Sequence, residues 1–316
     1  MTSVHPDSRG ITLRHGDLRA VVVRTGAALI DLQHAGRPLI AGHAAGESPV
    51  GYQGVVLAPW HNRINDGRYS FQGREYQLVL TEPDRGNALH GLVQDVPWTP
   101  VDHAGDAVRL VHRLRPTPGY PFALDLAVDY TLTDTGLSFR LTATNVGDDA
   151  APYGGSFHPY LVAGSGRTGV DDWILTSPAS RSLAVDPERL LPGILGTEAR
   201  LDFREPTKLA GVEVDHAFTD IAFDKNGLAR LTLVDADGVG ASMTWDHSCP
   251  WLQLCIPGDR FPRLTRQALA VEPMTCPPDA FRSGIDLIVL EPDASHSFRL
   301  TISPVTTTPT TREGRR

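Results

Sequence analysis

Apolar and polar residues alternate with a period of two along much of the chain. Leu124, Leu126, Val128, Tyr130 and Leu132 are interleaved with Asp125, Asp129, Thr131 and Thr133. Asp134-Thr135-Gly136 then interrupts the pattern, and Leu137, Phe139 and Leu141 resume it. A strand with one face buried and one face wet has this period, and a short polar break between two such runs predicts an antiparallel hairpin. The same plan predicts hairpins at residues 11–24 around His15-Gly16-Asp17 and at residues 69–78 around Gln72-Gly73. It predicts two more, joining residues 231–234 to 241–245 around Asp235-Ala236-Asp237-Gly238 and residues 287–290 to 298–302 around Pro292-Asp293-Ala294. No amphipathic helix longer than two turns is evident. Thirty glycines and twenty-five prolines punctuate the chain, which suits many short strands. The expected fold is all-β, a large antiparallel β-sandwich, formed as one domain over residues 1–305 with a disordered Thr-rich, then basic, tail at 306–316.

Composition narrows the classes of function. The 316 residues carry a net charge of −8, and 41% of them are hydrophobic. Such a chain buries a sizeable core but gains nothing from releasing phosphate counterions, so nucleic acid is not an expected partner. Three cysteines, Cys249, Cys255 and Cys276, with no CxxC pair argue against a disulfide framework or a zinc ribbon. No apolar run approaches the length of a membrane helix, and the polar first ten residues lack the apolar core of a signal peptide. A cytoplasmic monomer or homodimer without membrane contact is expected.

Between the strands lie dense polar segments. Residues 59–68 place Arg63 among Asn62 and Asn65, fixed donors for hydroxyl or carboxylate oxygens. His90-Gly91 follows a small apolar pair. Gly154-Gly155-Ser156-Phe157-His158-Pro159-Tyr160 sets a histidine between aromatic residues, with Pro159 holding His158 extended. Asp215 opens an otherwise strand-like run, as a turn residue or as an acceptor for two vicinal hydroxyls. Glu272 ends the apolar run Leu269-Ala270-Val271. Partial burial there would raise its pKa and make it a better base. Taken singly, each segment reads equally well as solvated surface or core.

Their order and spacing resemble the aldose 1-epimerase (galactose mutarotase) family from about Gly10 to Ser303. The stretches that carry the resemblance are NRINDGRYSFQGREYQL, NALHGL, FHPYL, LPGILGTEARLDFREP, VDHAF and AVEPMTCPPDAF. PWHNRI and TEPDRGNALHGL look closer to the bacterial branch with sulfosugar mutarotases, and Leu92 stands where galactose-specific members carry a second glycine. The resemblance implies a galactose mutarotase-like supersandwich that interconverts the α and β anomers of a hexose without cofactor or metal. It assigns Glu272 as the base on O1 and His158 as the acid on O5. By the same resemblance His90 would lie near the reacting oxygens, while Arg63 and Asp215 would hold sugar hydroxyls. Two alternatives within reach are a mutarotase for a 6-phospho or 6-sulfo hexose, with Arg63, Arg68, Arg74 or Arg85 as anion ligands, and a non-catalytic carbohydrate-binding protein. A glycoside hydrolase would need Asp215 as the second carboxylate beside Glu272.

Overall fold

The computed structural model describes residues 10–164 and 168–307. Two large antiparallel sheets dominate it. The first has nine strands in the spatial order Thr99–His103, Ala107–Leu114, Leu124–Thr133, Gly136–Asn145, Ser295–Thr306, Val239–Asp246, Leu228–Val234, Ile174–Thr176 and Thr207–Lys208. The second runs Pro192–Gly196, Ala179–Val185, Asp215–Ile221, Trp251–Cys255, Leu269–Met274, Ser156–Phe157 and Val56–Leu57, with Tyr160–Leu161 also paired to Leu269–Met274. A four-stranded sheet formed by Ile11–His15, Leu18–Val22, Leu29–His34 and Arg37–Pro38 accompanies them.

The long hairpin forms as the alternation predicts. Every second residue of Leu124–Thr133, beginning at Leu124, is buried, and the strand pairs with Gly136–Asn145 along its whole length. Each of these inward Leu, Val or Tyr side chains contributes about 1.5–3 kcal/mol by leaving water. They meet the second sheet directly: Phe139 stacks on Phe157 with ring centroids 4.3 Å apart, and Tyr130 lies edge-on to Phe157. The hairpin Leu228–Val234/Val239–Asp246 also forms. The Asp235 carboxylate closes its turn by accepting hydrogen bonds from the backbone N–H groups of Asp237 and Val239, at 3.0 and 2.9 Å. The hairpins beginning at Ile11 and Arg68 are present as well.

The expected hairpin around Pro292-Asp293-Ala294 does not form. Ile288–Leu290 pairs with Ala151–Tyr153, and Ser295–Thr306 inserts between Gly136–Asn145 and Val239–Asp246. The turn itself is real, but it passes the chain from one pairing to another, with Asp293 N–H bonded to the Asn145 carbonyl. The tail also begins later than expected: Thr306 closes the last strand, and Thr307 N–H bonds to the Gly238 carbonyl. The rest of that tail lies outside the described residues. Among those described, the α-helix is confined to Ala280–Ser283, and no helix is long and apolar enough to cross a membrane.

Candidate active site

The second sheet brings distant segments into one line. Leu183, Ala217, Gln253 and Glu272 lie on successive strands: Ser182 is paired with Phe218, Ala217 with Gln253, and Gln253 with Glu272. Beyond Glu272 the neighbouring strand is broken at His158-Pro159. Ser156 pairs with Met274 and Tyr160 with Ala270, which leaves His158 opposite Glu272. Proline lacks the N–H that would continue the ladder, and Val271 N–H uses the Pro159 carbonyl instead. On Leu269–Met274, Leu269 and Val271 join the main core, while Glu272 faces a cleft of about 690 Å³.

All five expected site residues, Arg63, His90, His158, Asp215 and Glu272, line this cleft. His158 Nε2 is 3.3 Å from Glu272 Oε1, and both side chains are almost wholly buried. Burial pushes the Glu272 carboxyl well above the usual carboxylate range, aided by the Asp215 charge and opposed by Arg63. Burial likewise lowers the His158 imidazole to about 4. Both shifts favour the neutral forms, carboxylic acid and imidazole, over carboxylate and imidazolium.

His90 approaches from the side, its ring centroid 5.3 Å from that of His158. The Asn62 backbone N–H donates to His90 Nδ1 at 3.2 Å. A nitrogen that accepts carries no proton, so neutral His90 must carry its hydrogen on Nε2. Desolvation, reinforced by His158, Arg63 and His61, keeps this ring neutral. Gly91 allows the turn to lie against its neighbour: φ is +79°, and a Cβ would meet the Ala58 carbonyl oxygen at 2.2 Å. Four cleft residues other than glycine, Tyr52, Asn62, His90 and Leu190, have left-handed backbone at φ +62°, +52°, +62° and +52°. Such strain gathers where surrounding structure over-determines a functional site.

Asp215 Oδ1 accepts from Gln253 Nε2 at 2.7 Å. Arg63 is less free than its sequence context suggests. Its Nε and Nη2 donate to the buried Glu82 carboxylate at 2.7 and 3.0 Å. Glu82 also accepts from Asn87 and from Arg260, at 3.2 and 3.1 Å, and Arg85 stands 3.4 Å away. Burial alone would raise the Glu82 pKa, but these donors bring it below the usual range. Of the arginines considered as anion ligands, Arg63 and Arg85 line the cleft, whereas Arg68 and Arg74 lie on an exposed hairpin.

Glu82, Gln253, Tyr52 and Arg260 were not singled out in the sequence. Gln253 was findable as a lone amide inside the apolar run Trp251-Leu252-Gln253-Leu254, since a buried amide needs partners. Glu82 gave no such signal, because Thr81-Glu82-Pro83-Asp84-Arg85 reads as solvated loop. Trp60, Trp245 and Trp251 are buried and do not line the cleft. His61 is buried against Cys276, Nε2 to Sγ 3.4 Å, and burial drives its pKa to about 3.

Comparisons with known proteins place the chain in a family. The sequence signature described as aldose 1-epimerase matches residues 9–303. The Escherichia coli protein YihR, itself uncharacterized, is 38% identical over 300 residues, covering 94% of this chain and 93% of YihR. Human galactose mutarotase is 32% identical over 171 residues, half of this chain and 47% of that one. In fold, the GalM/aldose epimerase homologue of Caenorhabditis elegans superposes with a TM-score of 0.82 at 20% identity, over 95% of this chain and 99% of that one. A chain-long sequence match and a matching fold together show that this protein belongs to the aldose 1-epimerase family.

Proposed function

We propose that the cleft catalyses mutarotation of a free hexose. The observation that carries this reading is the buried contact between Glu272 Oε1 and His158 Nε2 at the floor of a cleft lined with hydroxyl-binding groups. Binding alone needs no such pair, and keeping a carboxyl and an imidazole dry is costly. Ring opening starts from the ionic tautomer. The Glu272 carboxylate removes the proton from O1, the C1=O1 bond forms, the C1–O5 bond breaks, and O5 takes the proton from His158 Nε2. The pair is left as carboxylic acid and neutral imidazole, the form that burial favours. After rotation about C1–C2 the neutral tautomer closes the ring: the carboxylic acid returns the proton to O1 and the imidazole removes it from O5. The two tautomers serve opening and closure with no net gain or loss of protons. His90 Nε2–H is a fixed neutral donor beside these oxygens, while Asp215 and Arg63 bind the remaining hydroxyls.

The test is polarimetry or NMR exchange of α-glucose and α-galactose. The wild-type protein should speed equilibration, and Glu272→Gln should reduce the rate to the spontaneous one while still binding sugar. Equal rates for the two proteins would remove Glu272 as the base. A second reading, a mutarotase for a 6-phospho or 6-sulfo hexose, is favoured by the three guanidinium groups of Arg63, Arg85 and Arg260 gathered on the single carboxylate of Glu82. Competition by a hexose 6-phosphate, weakened by Arg260→Ala, would support it; an unaffected competition constant would not.

A further inference from the structure

Tyr52 holds a backbone conformation that tyrosine avoids, φ +62°. The neighbouring residues lock it there. Gln53 Nε2 donates to the Ala41 and Gly42 carbonyls at 2.9 and 3.2 Å, and Val50 N–H donates to Gln53 Oε1 at 3.3 Å. The segment is also tied to the acid of the site: Gly54 N–H bonds to the His158 carbonyl, and His158 N–H to the Val55 carbonyl. The outcome is a ring placed against both cleft histidines. Its centroid is 4.5 Å from that of His90, edge-on at 65°, and 6.2 Å from that of His158.

We propose that Tyr52 is a positioning residue, whose ring excludes water from His90 and His158 and fixes their mutual angle while its hydroxyl takes no part in proton transfer. The inference rests on the mutarotase reading for its kinetic consequences only. The other groups facing His158 are Glu272 at 3.3 Å, His90, and Tyr160, whose ring centroid is 5.1 Å away. Those facing His90 are the Asn62 amide, Arg63, His61 and His158. Burial holds both imidazoles below their ordinary range. Water admitted by loss of the ring raises both. A second proton on the Glu272/His158 pair removes the base, so the acid limb of the rate profile moves to higher pH.

The experiment compares Tyr52→Phe with Tyr52→Asn. Asparagine tolerates the left-handed backbone, so Tyr52→Asn relieves strain while deleting the ring. Its kcat should fall about tenfold or more, and its acid limb should move up by roughly one unit. Tyr52→Phe should keep the wild-type profile. If Phe is as impaired as Asn, the hydroxyl matters and the proposal fails. It fails equally if Asn keeps the wild-type rate and profile. NMR titration of the two imidazoles in the sugar-free proteins gives a readout independent of turnover: both should rise in Asn and stay in place in Phe. Absence of turnover in wild type would sink the mutarotase reading, and this titration would still decide the role of Tyr52.

Discussion

The strands Leu124–Thr133 and Leu269–Met274 lie on facing sheets and use their residues in opposite ways. The first alternates strictly between buried and half-buried positions, and its polar residues remain in contact with water. The second is buried at every position, and one of its residues is a carboxylic acid. The first strand contributes stability and no chemistry. The second gives up some stability to hold Glu272 buried 3.3 Å from His158. A large β-sandwich can carry this cost because regular strands such as the first bury so much apolar surface.

Substitutions in the two strands should therefore separate activity from stability. Glu272→Gln should abolish catalysed anomer exchange and His158→Ala should slow it about 10²–10⁴-fold, measured by polarimetry; an unchanged rate in His158→Ala would transfer the acid to His90. The carboxyl pKa of Glu272 is raised, so its contribution to stability is present at acidic pH and is lost as pH rises through the folded-state value. Glutamine mimics the protonated form, and Glu272→Gln should melt higher than wild type at pH 8. Leu126→Ala should do the reverse, costing about 2–5 kcal/mol in denaturant unfolding while the folded fraction keeps its kcat.

Acid should weaken the site side of the molecule first. His61, His90 and His158 are neutral in the folded state, with pKa lowered to about 3 for His61, about 4 for His158, and below the ordinary value for His90. The depressed values mean that their contribution is present above the ordinary histidine pKa and lost as pH falls from there through about 4 for His158 and about 3 for His61. Unfolding in that window should take up as many as about three protons, a number that the slope of stability against pH measures. The smallest effect is expected from Asp215→Ala, which should raise KM several-fold, roughly threefold to tenfold, with kcat nearly unchanged. A pure kcat defect would reassign Asp215.

The regular strand was readable in the sequence because Leu124, Leu126, Val128 and Tyr130 carry their burial in a local period. The pairing of Ile288–Leu290 with Ala151–Tyr153 was not, because no local pattern names a partner more than a hundred residues away. Pro292-Asp293-Ala294 signals a turn but not which strands it joins. In the site, Glu272 and His158 stood out through family resemblance, and their contact follows from the broken strand at Pro159. Glu82 stayed hidden because its partners, Arg63, Asn87 and Arg260, meet it only in three dimensions. Tyr52 stayed hidden because a left-handed tyrosine has no sequence signature.

Leu183, Ala217, Gln253, Glu272 and His158 form one line across the second sheet. Side chains on a strand take turns between two faces, so the chemistry depends on phase as much as on identity. Deleting Pro159 would bring Tyr160 into the ladder one place early and break that phase at His158, even though every proposed catalytic group was still encoded. Lengthening the loops at the cleft mouth, around Leu190 or Arg260, leaves that phase untouched. Descendants of this scaffold can therefore change what they bind by insertion and deletion at the rim, while the strands beneath admit substitutions but no change of count.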